Sequence, residues 1–251
     1  VTFKVVIPAR YASTRLPGKA LLALKDKPIV QHVYENACAS GAEDVIIATD
    51  DQRIVEAANK FEANVCLTSD KHQSGTDRIA EVASLNGWSD EVVIVNVQGD
   101  EPQMPAENIR QVAENLIAHD AVSMSTLCAP IGNEADYTNP NVVKVVFDEN
   151  SHAFNFSRKI ETLNCKEPIT DMTKVFRHLG IYAYRVGFLN TFMNLPMSSH
   201  EQKESLEQLR ALQNGFKIYV EEAKVPAGIG VDTQEDYESL RRAYATLQDV
   251  M

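Results

Sequence analysis

Three cations and a glycine crowd one short stretch, PARYASTRLPGKAL, which carries Arg10, Arg15 and Lys19 with Gly18 beside the lysine. The stretch follows an apolar run, FKVVI, that reads as a buried strand. Side-chain cations together with backbone N–H groups at a strand end suit an anionic group, a phosphate above all. A solvated basic loop is the plainer alternative. Neither GxxxxGK followed by Ser or Thr nor GxGxxG occurs, so phosphate here would be held by side-chain charge in a loop of different geometry.

A second strand-like run, VVIV, leads into NVQGDEPQMP and exposes Asp100 and Glu101 at a turn. Hard carboxylate oxygens suit Mg²⁺, which takes one or two protein carboxylates and fills its other positions with phosphates and waters. An ordinary acidic turn is the alternative. A possible partner stands far along the chain in GVDTQEDY, where Asp232 follows an apolar segment; Asp232 or Thr233 can equally cap the helix containing Glu235. HQSGTDRI sets Ser74, Gly75, Thr76 and Arg78 at a loop–helix junction, open to a ligand or simply a helix cap. Arg158 in FSRK, His178 and Tyr182 in FRHLGIYAY, and Glu207, Gln208 and Arg210 in LEQLR complete the polar inventory. By itself His178 reads as a structural histidine. There is no GxSxG elbow and no His pair with metal-ligand spacing, so no covalent nucleophile is visible.

These loops need elements to hold them. Nearly continuous apolar runs (FKVVI, DVIIAT, NVCLT, VVIVNVQ) alternate with helical patterns over Pro28–Ala39, from Gln52 to about Phe61, from about Thr76, and over Pro105–Ile117. Strands apolar on both faces and joined by helices imply a mostly parallel, doubly wound α/β sheet that binds ligands at its carboxyl edge. The second half is less regular. VVKVVFD and HAFNFSR read as paired strands, Phe176–Tyr184 and Lys217–Glu221 as further strands, and Glu201–Asn214 and Thr233–Gln248 as helices. The expectation is one domain over residues 1–251 with a smaller inserted lobe around 129–186.

Composition narrows the class. Of the 251 residues, 44% are hydrophobic and 24% charged, enough for a core without staples. A net charge of −11 argues against a nucleic-acid-binding surface, so no nucleic-acid partner is expected. No apolar run reaches the roughly 18 residues of a membrane span, and VTFKVVIPAR is too short for an export signal; a cytoplasmic location is expected, without membrane insertion. Cys38, Cys66, Cys128 and Cys165 are far apart, form no CxxC pair, and read as reduced, buried thiols.

In order from Val6 to Tyr237, the segments IPARYASTRLPGKAL, HVYENA, VIIATDD, HQSGTDRIAEV, VNVQGDEP, NPNVVKVV, FSR, RHLGIYAYR, LEQLRALQNG and GVDTQEDY make the chain resemble the 3-deoxy-manno-octulosonate (Kdo) cytidylyltransferase family. The resemblance implies a nucleotide-diphospho-sugar transferase-like fold. It implies Mg²⁺-assisted transfer of CMP from CTP to the anomeric hydroxyl of Kdo by direct displacement, giving CMP-Kdo and pyrophosphate for lipopolysaccharide synthesis. It further implies Asp100 and Asp232 as metal ligands, Arg10, Arg15 and Lys19 on the triphosphate, and Lys19, Asp100 and Asp232 as the catalytic set. Pro8, Ala9, Ser74 and Gln98 would place the nucleotide, while Arg78, Arg158, His178, Tyr182, Glu207 and Gln208 would meet the sugar acid. A homodimer through the smaller lobe is implied as well. After FSR the family commonly has a short Ile-Pro segment; this chain has KIETLNCKEPI, so no contacts are carried over to Lys159–Pro168. A sialic-acid or 8-amino-Kdo cytidylyltransferase, and a catalytically silent sugar-nucleotide-binding regulator, are the alternatives.

Overall fold

The computed structural model describes residues 2–13, 15–72, 74–163, 172–228 and 230–246. Of the cysteines expected to be buried, Cys128 is, Cys66 is half-buried and Cys38 is exposed; the expectations for Cys165 and for the later part of Lys159–Pro168 lie outside the described residues. Two compact units emerge, one formed by 2–88, 94–110 and 227–251, the other by 1, 89–93 and 111–226.

In the first unit, strand β1 (Lys4–Pro8) leads into a loop, a single 3-10 turn at Lys19–Leu21, and a ribbon of β2 (Ala23–Leu24) and β3 (Lys27–Pro28). Helix α1 (Ile29–Ala39), β4 (Asp44–Thr49), α2 (Gln52–Asn59), β5 (Asn64–Leu67), α3 (Gly75–Leu85), β6 (Val93–Asn96) and α4 (Ala106–Ala118) follow, with Val93 and the part of α4 after residue 110 counted in the second unit. The strand order is β6-β1-β4-β5, every pair parallel. Val5, Val6 and Ile7 of β1 and Ile47 of β4 are fully buried, as strands covered on both faces require. Helix α1 turns Ile29, Val30, Val33 and Ala37 inward, and Asp51 caps α2 by accepting from the Arg53 N–H. The C-terminal helix Gln234–Thr246 packs back here: Leu240 and Val231 share a cluster with Leu16, Leu24 and Ile29. That cluster matters because Leu16 follows Arg15 and Val231 precedes Asp232.

The second unit holds β7 (Met124–Pro130), α5 (Glu134–Thr138), β8 (Lys144–Phe147), β9 (Ala153–Ser157), β10 (Phe176–Arg185), α6 (Val186–Met193), α7 (Ser199–Glu204), α8 (Gln208–Gln213) and β11 (Ile218–Glu222). β7 pairs with β11 in parallel and with β10 antiparallel; β8 pairs antiparallel with β9 and β10. Lys144 is fully buried, and its ammonium donates to the carbonyls of Asn139 (2.6 Å) and Arg158 (3.0 Å). Burial pushes its pKa below the ordinary lysine value.

The single helix expected over Glu201–Asn214 is two. Ser205 takes a left-handed backbone (φ 54°) and ends α7. The break folds α8 back, so the Arg210 guanidinium meets the Glu201 carboxylate at 2.9 Å in a buried ion pair. Strand Met124–Pro130 and helix Val186–Met193 are additions to the sequence reading.

Candidate active site

The carboxyl ends of β1 and β6 in the first unit open onto a cleft of about 360 Å³. Pro8, Ala9, Arg10, Arg15, Lys19, Ser74 and Gln98, the whole expected nucleotide set, line it together with Gly75, Gly99 and Asp100. Ala9 donates its N–H to the Ala48 carbonyl (2.9 Å) and Gly99 to that of Pro8 (3.2 Å), which fixes the floor. The two glycines set how closely its walls approach. A Cβ on Gly99 would lie 3.0 Å from both the Ala9 Cβ and the Pro8 carbonyl oxygen; one on Gly75 would lie 3.3 Å from Pro8 Cγ.

Ser74 is both wall and cap. Its hydroxyl accepts from the Asp77 N–H (3.2 Å), while the Asp77 carboxylate accepts from the Ser74 N–H (3.0 Å), a closed capping box at the start of α3. As the oxygen is accepting, the hydroxyl proton remains able to donate toward the cleft. Arg10 also faces it, and its Nη2 is buried without a hydrogen-bonding partner among the described residues. A buried guanidinium nitrogen left unpaired is costly unless a ligand meets it.

Lys19 draws the two expected metal carboxylates together. Its ammonium forms ion pairs with Asp100 and with Asp232 (3.1 Å), and Arg15 reaches the same Asp232 oxygen at 2.9 Å. Burial alone would lower the Lys19 pKa, but the adjoining Asp100 and Asp232 charges outweigh it and hold the pKa above the ordinary value. The competing capping role of Asp232 passes to its neighbour. Thr233 accepts from the Asp236 N–H (3.2 Å) and the Asp236 carboxylate accepts from the Thr233 N–H (2.8 Å), which leaves the Asp232 side chain to Lys19 and Arg15. Two carboxylates converging on one cationic group, beside a cleft with room for phosphate oxygens, are the donor set expected for Mg²⁺. Among the described residues no cluster of three or more metal-ligating side chains exists, so a metal here would rely on its substrate for further ligands.

Arg78 belongs to this unit, but not to the cleft's lining. It is fully buried; one guanidinium nitrogen pairs with Asp50 at 2.7 Å and another donates to the Thr68 hydroxyl. Its Nε has no partner among the described residues. This geometry ties α3, and with it Ser74 and Gly75, to the ends of β4 and β5.

The other expected sugar contacts lie in the second unit. The His178 ring stands 5.2 Å from the Tyr182 ring and edge-on to Phe156 at 5.1 Å, with its Nε2 3.0 Å from the Thr126 hydroxyl. Burial pushes the His178 pKa down to about 3, so the ring is neutral. Tyr182 is raised well above its ordinary value by burial, with Tyr184 and Glu207 adding to the effect. Gln208 is buried beside Glu207 at the start of α8, and its Nε2 has no partner among the described residues. Arg158 is engaged with the backbone: Nε donates to the Glu204 carbonyl (2.9 Å) and Nη1 to that of Pro140 (3.1 Å).

The cytidylyltransferase family pattern matches residues 4–218. A 3-deoxy-manno-octulosonate cytidylyltransferase from Vibrio vulnificus (strain YJ016) is 52% identical over 250 residues, covering 98% of this chain and 99% of the relative. The chain belongs to this family. Another member, from Francisella philomiragia subsp. philomiragia, is 49% identical over 247 residues, 97% and 99% of the two chains. The solved structure of a CMP:2-keto-3-deoxy-manno-octonic acid synthetase complexed with CTP superposes with a TM-score of 0.87 at 37% identity, over 98% of this chain and 99% of that one. The chain is a cytidylyltransferase enzyme with the mixed α/β, mostly parallel nucleotidyltransferase fold. Among the described residues, no helix is long and apolar enough to cross a membrane.

Several working residues of this cytidylyltransferase escaped the sequence reading. Asp50 and Thr68, which hold Arg78, are separated from it by 28 and 10 residues; Asp50 stood in the quoted VIIATDD segment without a role, and Thr68 lies in no quoted segment. Gly99 did stand in the quoted NVQGDEP segment, and a glycine between a strand end and an acidic turn is the available signal of close backbone approach.

Proposed function

We propose that this chain transfers CMP from CTP to the anomeric hydroxyl of Kdo, releasing pyrophosphate and supplying CMP-Kdo for lipopolysaccharide synthesis. The observation that supports it most is the Lys19 bridge: one ammonium joins Asp100 and Asp232 at the rim of a cleft that also holds Arg10 and Arg15. In this reading the Kdo hydroxyl oxygen forms a bond to the α-phosphorus as the bond to the pyrophosphate oxygen breaks.

Such a displacement needs alignment and charge compensation rather than a covalent nucleophile. Arg10 and Arg15 bind and orient the triphosphate, and Lys19, kept protonated by its two carboxylates, offsets negative charge growing on the departing pyrophosphate. Pro8, Ala9, Ser74 and Gln98 would frame the nucleotide through backbone groups and small polar side chains. Asp100 and Asp232 would hold Mg²⁺, which when bound supplies a Lewis acid at the phosphate oxygens.

For the acceptor, His178, Tyr182, Glu207 and Gln208 offer the mixed hydrogen-bonding set that a polyhydroxylated acid needs. The unpaired Gln208 Nε2 favours this assignment. Arg158 and Arg78, already engaged as described, are the weaker members of the set. The segment around 129–186, which carries Arg158, His178 and Tyr182, is the proposed dimerisation lobe.

Pyrophosphate release from CTP with Kdo, 8-amino-Kdo or sialic acid, in the presence of Mg²⁺, tests the reading. Turnover with Kdo above the others is expected. Preference for another acid would reassign the acceptor, and saturable CTP binding with no turnover on any acid would mark a regulator instead.

A further inference from the structure

The cationic loop that follows β1 is held from outside the cleft by a side-chain stack. The Tyr11 carbonyl accepts N–H bonds from Gly18 (2.8 Å) and Ser13 (2.9 Å), drawing the ends of the 11–18 segment together. The Tyr11 ring then covers Gly18. A Cβ on Gly18 would lie 3.0–3.2 Å from two ring carbons and the hydroxyl oxygen of Tyr11, and the φ of +70° independently favours glycine. Over the same ring the Arg53 guanidinium carbon stands 3.3 Å from the centroid. Arg53 is itself held by the two oxygens of Asp51, at 2.8 and 2.6 Å, and Asp51 is the N-cap of α2. A fixed helix start thus holds a guanidinium, the guanidinium holds a ring, and the ring holds the glycine immediately before Lys19.

We infer that Tyr11 and Arg53 are positioning residues for the triphosphate: the stack sets the loop path that turns Arg15 and Lys19 toward Asp232. The inference rests on the loop binding the triphosphate, as proposed above. A surface cation–π contact with no such role would be a local decoration of α2. What argues otherwise is that the same ring also closes on Gly18, a loop residue whose backbone and lack of side chain both fit the contact.

The test compares equilibrium binding of CTP and CMP, because CMP lacks the β- and γ-phosphates that the loop would hold. Lys19→Ala is measured first. If it leaves the advantage of CTP over CMP intact, the loop does not hold the triphosphate, and the reading beneath the inference fails. With that advantage lost in Lys19→Ala, Arg53→Ala should weaken CTP binding roughly 5-fold and Tyr11→Ala more than 10-fold, each changing CMP binding less than 2-fold. Tyr11→Phe, which keeps the ring, and Arg53→Lys, which keeps a cation above it, should recover most of the loss. Unchanged CTP binding in both alanine variants, or equal losses for CTP and CMP, would overturn the positioning role. Thermal unfolding of each variant separates collapse of the fold from displacement of the loop; if Tyr11→Ala does not fold, the exposed Arg53 decides.

Discussion

At the scale of single residues, the Lys19 bridge makes two demands on Asp100 and Asp232. They must supply charge for a metal, and they must keep a partly buried ammonium protonated. Asp100→Asn and Asp232→Asn preserve size and remove charge, so turnover should fall by at least 100-fold with the fold intact, as measured by pyrophosphate release. Lys19 should also lose protons at lower pH, since burial is then opposed by one carboxylate instead of two. In the parent, a raised folded-state pKa means the charge persists up to and beyond 10.5, and the stability it contributes is lost only as pH rises through that folded value. The alkaline limb of the residual activity should therefore move down in either variant; an unmoved limb would detach Lys19 from the rate. His178 carries the opposite sign. Its folded pKa of about 3 lies below the ordinary 6.5, so the unfolded chain takes up a proton first and stability declines as pH falls from 6.5 toward 3. Urea midpoints should fall between pH 7 and 5, and the slope should flatten in His178→Asn. Arg78→Met should cost about 3 kcal/mol of stability, because it strands Asp50 beside an emptied cavity; a denaturation midpoint close to the parent's would return Arg78 to the list of ligand contacts. The cleft cations were legible in the sequence because they cluster within ten residues. The internal use of Arg78 was not, because its partners reach it only through the pairing of β4 with β5.

Among the elements, legibility followed the continuity of apolar residues rather than burial: NVCLT was readable although half-exposed, while the buried but polar-interrupted Met124–Pro130 was not. Strands such as Asp44–Thr49 are apolar on both faces, so a continuous run of Val, Ile and Ala announced them within a residue or so. The break at Ser205 left no such trace: it is set by where Glu201 and Arg210 must meet, and no glycine marks it. Likewise the capping pattern at Asp232–Asp236 was readable, while its division of labour between Thr233 and Asp232 required knowing that Leu16 and Val231 share one cluster. The contact between the ends of β1 and β6 makes an element-scale prediction. Gly99 does not have a left-handed backbone, so Gly99→Ala is purely a matter of space, and the added methyl must push against Ala9 and the Pro8 carbonyl. CTP and CMP affinity should both fall, about 10-fold by calorimetry, in contrast to the triphosphate-selective loss expected at Tyr11. Undiminished CMP affinity would mean that the strand ends can part without disturbing the nucleotide.

For the molecule as a whole, the acidic body and the cationic cleft describe different things: net charge bears on partners and solubility, while a few local cations decide what anion is held. The proposed homodimer is testable at this scale. Sedimentation should give about twice the mass of one chain, and Phe154→Arg, which charges a half-exposed ring in β9, should shift the boundary toward one chain; a parent that sediments as a single chain at micromolar concentration would end the proposal. The order of segments within the first unit has a further result, one concerning how the protein is made. That unit closes only when 227–251 joins 2–88 and 94–110, and the Lys19–Asp232 contact spans 213 positions of sequence. During synthesis the N-terminal strands can pair early, but the second carboxylate is made 213 positions after Lys19. The nascent chain therefore carries its cationic loop through that interval with Asp232 still unmade, and a ribosome stalled before that codon yields a fragment without the complete carboxylate pair and without the helix that closes the unit.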